Sequence, residues 1–383
     1  MGAIYIVDAC IIIQQKSNFD SQHLLCYKAK LYEKMALEDS EPFICLKDTE
    51  TALRIYKSLN IKEKIVELEA RYTAIRQLIR MNNVEVFEFS EDYINYCTKK
   101  IRYLVESSNN TSIITNIALF KHFNCIDKIQ AKADYAREKG IIESLFTTNI
   151  LDEFGNTIAE YSSEKEIKEM FFWKSFDMYF QTGISLLNEY IIESYKAKKF
   201  TYQNVIFYME GTWYNEPIIH TYNGEKKELY ILDVIKPGLK KFFEELDYYF
   251  LDPKNNNFDY IIVIDTLTLK METILRFICE KLNIATFKTR DKGSAKLVME
   301  KLLDDLLSDL KDTPENPTGF KEEDRLMLKY VLTLKGRNLR NRVAHGLMDL
   351  GDYSFTDILI LLYLIIKLST YKFQNVDDGV III

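Results

Sequence analysis

Chemistry concentrates in one segment of this chain, Lys335 to Leu350, which reads KGRNLRNRVAHGLMDL. It contains Arg340, Asn341 and His345. An imidazole moves protons near neutral pH, a guanidinium braces a phosphate bidentately, and an amide positions either. Lys335, Arg337 and Arg342 add positive charge and are candidate binders of a phosphate backbone. Gly336 can end a preceding helix and Gly346 a following one, which leaves about one or two turns between Arg337 and His345. At about 100° per residue, Asn341 and His345 share a face and Arg337 extends the same stripe. Arg340 lies about 140° away from His345 round a straight helix, so it meets the imidazole's substrate through a kink, its own length or a second copy. The plainer alternative is a histidine that caps a helix end.

Charge changes sign at this segment. Glu300 to Asp324 carries nine acids (Glu300, Asp304, Asp305, Asp309, Asp312, Glu315, Glu322, Glu323, Asp324) against Lys301, Lys311 and Lys321. Arg325 to Met348 carries six bases (Arg325, Lys329, Lys335, Arg337, Arg340, Arg342) and no acid. The whole chain has net charge −7, so it will not coat nucleic acid indiscriminately. A local basic patch can still attract one phosphate-bearing ligand. The plainer alternative is that these bases pair with acids on adjacent helices.

Other chemistries lack their residues. The four histidines, His23, His122, His220 and His345, have no ligand spacing among themselves or with cysteine, so neither a metal nor another cofactor is expected. There is no G-x-S-x-G, no P-loop and no G-x-G-x-x-G. Six scattered cysteines suit buried free thiols in a reducing compartment. The apolar run Ile358 to Ile366 has nine residues, where a membrane span needs about 20. Residues 1–13 contain Asp8 and lack a basic flank, a poor signal peptide. A cytoplasmic protein with no membrane partner is the expectation.

The elements that must position this segment are mostly helices. Only 13 Gly and 6 Pro interrupt 383 residues, and 47% are apolar. The predicted class is mainly α with minor β: a C-terminal antiparallel four-helix bundle behind a larger, mixed, mostly helical N-terminal region. Residues 1–145 form that region, 146–250 a hairpin with a long helix, 251–375 the bundle, and 376–383 an apolar tail. Residues 3–13 are short and β-branched, which predicts a buried strand. Helical patterns cover 48–80, 91–107, 112–123, 127–139 and 164–199. Gly155 sits in a hairpin turn within 146–159, and 202–222 alternates like strand and loop up to Asn223-Gly224. A short strand at 260–264 precedes helices at 268–282, 295–310, 322–334 and 354–373. Ser354 can cap the last, with Asp357 as the capping-box acid.

Arg340-Asn341-Arg342-Val343-Ala344-His345 has the R-N-x-x-x-H form of the HEPN superfamily. Leu339 to Gly346 resembles the R-N-x-x-A-H-G signature of one of its domain-of-unknown-function branches. The resemblance covers the last four helices, including Thr266 to Glu272 with Leu275 and Arg276, and extends weakly back to about residue 145. It implies a metal-independent endoribonuclease that works as a homodimer, in a toxin or antiviral-defence role, with RNA and an antitoxin or other defence protein as partners. Arg340, Asn341 and His345 would be its active-site set. Members of the superfamily also serve as non-catalytic dimerisation or scaffold modules. A third alternative starts from Ile4 to Ile13, which resembles the first strand of a PIN-type nuclease with Asp8 as a metal ligand. It would have to draw on Asp127, Asp134 or Asp152 for further carboxylates.

Overall fold

A computed structural model describes residues 2–17, 19–79, 91–123, 125–139, 148–151, 157–222, 225–251, 258–292, 295–376 and 379–382. The chain divides into two compact units, Met1–Val86 with Ile141–Ile167, and Phe87–Gly140 with Lys168–Ile383. Both are helical, and every described strand belongs to a two-stranded antiparallel pair.

The first unit holds α1 (Gly2–Lys16), α2 (Gln22–Glu38), α3 (Pro42–Ser58), α4 (Lys62–Arg76) and the paired strands β1 (Thr148–Leu151) and β2 (Thr157–Tyr161). Residues 3–13 are therefore helix, not strand. β-Branched content is a weak preference. Ile4, Val7 and Ile11 are buried while Tyr5, Ile6, Ile12 and Ile13 are exposed, a spacing of three and four rather than two. Asn60, at φ 54°, splits the pattern over 48–80 into α3 and α4. Ala29, Ala52, Leu53, Tyr56 and Leu68 close a small core between α2, α3 and α4. The hairpin turn at Gly155 lies outside the described residues, as do Asp152, Asn223-Gly224 and the stretch 253–257.

The second unit contains α5 (Glu91–Ser107), α6 (Asn110–Ala118), α7 (Ile126–Lys139), the body of α8 (Glu164–Lys196), α9 (Tyr202–Glu210), the pair β3 (Ile218–Tyr222) and β4 (Glu225–Leu229), and α10 (Ile231–Leu251). There follow α11 (Tyr260–Lys281), the pair β5 (Phe287–Lys292) and β6 (Ala295–Glu300), α12 (Leu303–Asp309), α13 (Glu322–Leu332), α14 (Leu339–Ala344), α15 (Phe355–Ser369), and the pair β7 (Phe373–Val376) and β8 (Gly379–Ile382).

Three sequence expectations change here, each at a capping residue. The strand placed at 260–264 is the start of α11, because the Asp259 carboxylate accepts the Ile262 N–H at 3.2 Å. The helix placed at 295–310 is β6 followed by α12, where Asp305 accepts the Leu302 N–H at 3.0 Å. The strand-like stretch from 202 opens with α9, capped by Thr201, and only Ile218–Tyr222 is strand. The six cysteines are free, but Cys279 alone is buried; that burial pushes its thiol up to about 12.

At the centre lies α15, with Asp357 through Ser369 all buried. It packs against α6 and α11. The apolar run Ile358 to Ile366 is thus core, and no described helix is long and apolar enough to cross a membrane. Phe123, Phe180, Tyr330 and Tyr363 meet ring to ring, with centroids 4.7–5.8 Å apart, and join α8 and α13 to α15. The C-terminal carbonyls of α15 receive buried donors, Trp213 Nε1 to Leu368 at 2.8 Å and Tyr214 Oη to Ile365 at 2.9 Å.

The start of α8 carries a capping box. Ser163 Oγ accepts the Glu166 N–H, and Glu166 accepts the backbone N–H groups of Ser163 at 2.9 Å and Ser162 at 3.1 Å. These bonds hold the Glu166 carboxyl down at about 2. A folded-state value below the unfolded one gives stability that is present above the ordinary glutamate range and lost as pH falls toward about 2. Thermal unfolding of Glu166→Gln should therefore match wild type most closely near pH 2 and fall below it at neutral pH.

Candidate active site

The Arg/Asn/His segment is shaped by backbone bonds at both ends. After α13, Arg337 N–H bonds Tyr330 O at 2.8 Å, and both Gly336 and Asn338 donate to Thr333 O. A Cβ on Gly336 would stand 2.4 Å from the Tyr330 carbonyl oxygen, so only glycine fits. Asn338 takes the left-handed conformation, φ 54°, and α14 starts at the next residue. At its other end, Gly346 N–H bonds Val343 O at 3.2 Å and Leu347 N–H bonds Arg342 O at 2.8 Å. Those two bonds with Gly346 at φ +63° make a Schellman motif, which stops the helix at His345.

His345 is thereby the exposed last residue of the turn. Its imidazole makes no hydrogen bond or ion pair among the described residues. Arg340 turns instead toward α11, where Nε donates to Glu272 Oε2 at 3.0 Å and Nη1 to Asn341 Oδ1 at 3.3 Å. Asn341 Nδ2 donates to Asn338 Oδ1 at 2.9 Å. The Asn341 amide thus braces Arg340, and its link to His345 is through the backbone, His345 N–H to Asn341 O at 3.0 Å.

Glu272 serves two guanidinium groups, since its Oε1 also accepts Arg276 Nη2 at 2.9 Å. Arg276 is itself tied to the foot of the β5–β6 hairpin through Lys301 O at 2.6 Å, Thr286 O at 3.3 Å and Glu300 at 2.8 Å. The sequence pattern assigns neither Glu272 nor Arg276 a role. Their spacing of four along a helix was the available signal.

Each remaining base of the segment has an acid partner. Lys335 Nζ lies 2.7 Å from Glu169, Arg337 Nη2 2.6 Å from Asp357, and Arg342 Nη2 2.9 Å from Asp352. The Glu169 carboxyl is half-buried, which alone would raise it, but the Lys335 bond and charge hold it below the usual range. Arg337 precedes α14 and points to α15, off the Asn341–His345 stripe expected for it. Its partner Asp357 is 1% exposed and also takes the Ser354 hydroxyl at 2.7 Å. Ser354 caps α15 as expected, accepting the Asp357 N–H at 3.2 Å.

Comparison with protein-family models, curated proteins and solved structures found no match. The PIN-type alternative loses its geometry, because Asp8 stands on helix α1, paired with Lys28 at 2.5 Å, rather than at a strand end. Asp127 and Asp134 stand on α7, and among the described residues no group of three or more His, Cys, Asp or Glu side chains could hold a metal ion.

Two substitutions test this frame. Gly336→Ala forces a Cβ into the Tyr330 carbonyl and ring, and should lower unfolding free energy by about 1–3 kcal/mol in denaturant titration. Arg337→Ala strands a buried carboxylate and should cost about 3–5 kcal/mol in the same measurement. Were Arg337 only a surface charge, its removal would leave the midpoint unmoved.

Proposed function

We propose that this chain cleaves RNA without a metal, through Arg340, Asn341 and His345, as a HEPN-type endoribonuclease acting as a homodimer. The observation that carries this reading is the end of α14: an exposed imidazole with no partner among the described residues follows, at the close of the same short helix, an arginine whose orientation is set by Glu272 and Asn341. In the reaction the substrate 2′-OH attacks its own phosphate and the 5′-oxygen leaves. One His345 takes the 2′-OH proton, an acid returns a proton to the 5′-oxygen, and Arg340 stabilises the charge on phosphorus. A single chain presents one such imidazole, and a second copy supplies the acid. The resemblance of LRNRVAHG to the HEPN signature supports the cytoplasmic toxin or antiviral-defence setting, with an antitoxin or other defence protein as a further partner.

A second reading is favoured by the ion pairs. Lys335, Arg337, Arg340 and Arg342 each meet a carboxylate of this same chain, which neutralises the patch offered to a phosphate backbone. In that reading the cluster braces a non-catalytic dimerisation or scaffold module.

Labelled single-stranded RNA in excess EDTA separates the two. Wild type should cut it, and His345→Ala should lower the rate by about 10²–10⁴-fold with its unfolding midpoint unchanged; Arg340→Ala should lower the rate as far. Cleavage that survives in His345→Ala, or needs added metal, overturns the nuclease reading. An intact, folded wild type that never cuts leaves the scaffold.

A further inference from the structure

The hairpin β5–β6 is anchored at its foot by Arg276 and by the Lys288–Asp305 pair, and it still leaves apolar side chains open to solvent. Phe287, Leu297, Val298 and Met299 are between 41% and 68% exposed, and Leu302 just beyond is 61% exposed. Two strands alone are marginal in water. An apolar strand with an open edge is a template for another strand.

The register identifies which backbone groups are open. Thr286 stands opposite Lys301, and Lys301 N–H bonds Thr286 O at 2.8 Å, a closely hydrogen-bonded pair. Because such pairs alternate along an antiparallel ladder, Met299, Leu297 and Ala295 direct their N–H and C=O groups at β5. Residues 296, 298 and 300 direct theirs the opposite way, where no described strand lies.

We propose that β6 is the self-association edge of this protein and that its partner is β6 of a second copy, antiparallel about a two-fold axis at Val298. Three independent features select that partner. The two-fold at Val298 uses all three open residues of each copy, 298 against 298 and 296 against 300 twice, and forms six backbone hydrogen bonds. The same register sets Lys296 opposite Glu300 of the second copy, so the charges that otherwise guard an edge become complementary. It also sets Leu297 opposite Met299 of the second copy, apolar on apolar. Neighbouring registers use only two of the open residues. On β5 the equivalent operation sets Phe287 against Asp291, and β4 reads EKKEL, an edge blunted by charge. The result is a four-stranded sheet, β5–β6–β6–β5, with one hydrogen-bonded route from each foot through Arg276 and Glu272 to Arg340.

Sedimentation equilibrium on the full chain, with circular dichroism as the fold control, tests this. Wild type should dimerise. Lys296→Glu turns both cross-axis pairs into Glu against Glu and should weaken the dimer about tenfold or more. Val298→Pro removes an N–H that β5 does not use, so it should leave the dichroism intact and abolish dimerisation. A wild type that stays monomeric up to about 100 μM overturns the proposal. So does a Lys296→Glu dimer as strong as wild type, or a Val298→Pro chain that still dimerises. Self-association is read here without RNA, so a chain that pairs through β6 yet cuts nothing refutes the nuclease reading alone.

Discussion

A helix buried on every side cannot leave a charge unpaired, and α15 carries two, Asp357 in its first turn and Lys367 near its end. Lys367 lies 3.8 Å from Asp324 on α13, which also accepts the Tyr371 hydroxyl at 2.6 Å. Burial raises the Asp324 carboxyl above its usual range, with Lys367 and Tyr371 working against that rise. Asp357 is held by Arg337. The desolvation of these groups links α13, α15 and the segment preceding α14. The segment carrying Arg340, Asn341 and His345 is therefore fastened to the core by electrostatics as much as by its buried Leu339.

From that anchor outward, one chain of bonds reaches the surface. Asn338 and Asn341 hold each other, Asn341 holds Arg340, and Arg340 shares Glu272 with Arg276. Such a network sets the direction of a guanidinium without consuming all of its donors: Arg340 spends Nε on Glu272 and one contact on Asn341, out of five N–H groups. Arg337 spends its fork on a carboxylate that is 1% exposed. Two arginines three positions apart thus have different duties, one inward and one at the rim. His345 differs from both, since the Schellman turn delivers it to solvent.

Charge across the segment is balanced locally. The acids that balance it come from four separate places, Glu169 on α8, Glu272 on α11, Asp352 before α15 and Asp357 within it. The positive charge of Lys335, Arg337, Arg340 and Arg342 is therefore a property of the linear chain more than of the surface. A phosphate that docks here competes with carboxylates already in place.

How much of this was legible in the sequence depends on how local the cause was. Residues 91–107 read as a helix with the bounds that α5 has, because amphipathic spacing and few breakers act within one segment. The stop at Gly346 and the Ser354 cap were readable for the same reason, as was the mainly helical class. Residues 3–13 misled because β-branching favours strand only where a sheet exists to receive it, and α1 instead packs on α2. The split of 295–310 into strand and helix turned on a single capping contact of Asp305. The sequence by itself determined which residue types stand where: an arginine, an asparagine and a histidine on one short turn closed by glycine. Only the tertiary structure decided their partners. Glu272, Asp357, Glu169 and Asp352 lie from 10 to 166 positions away from the bases they meet, and ion pairing depends on distance in space, on which spacing along the chain is silent.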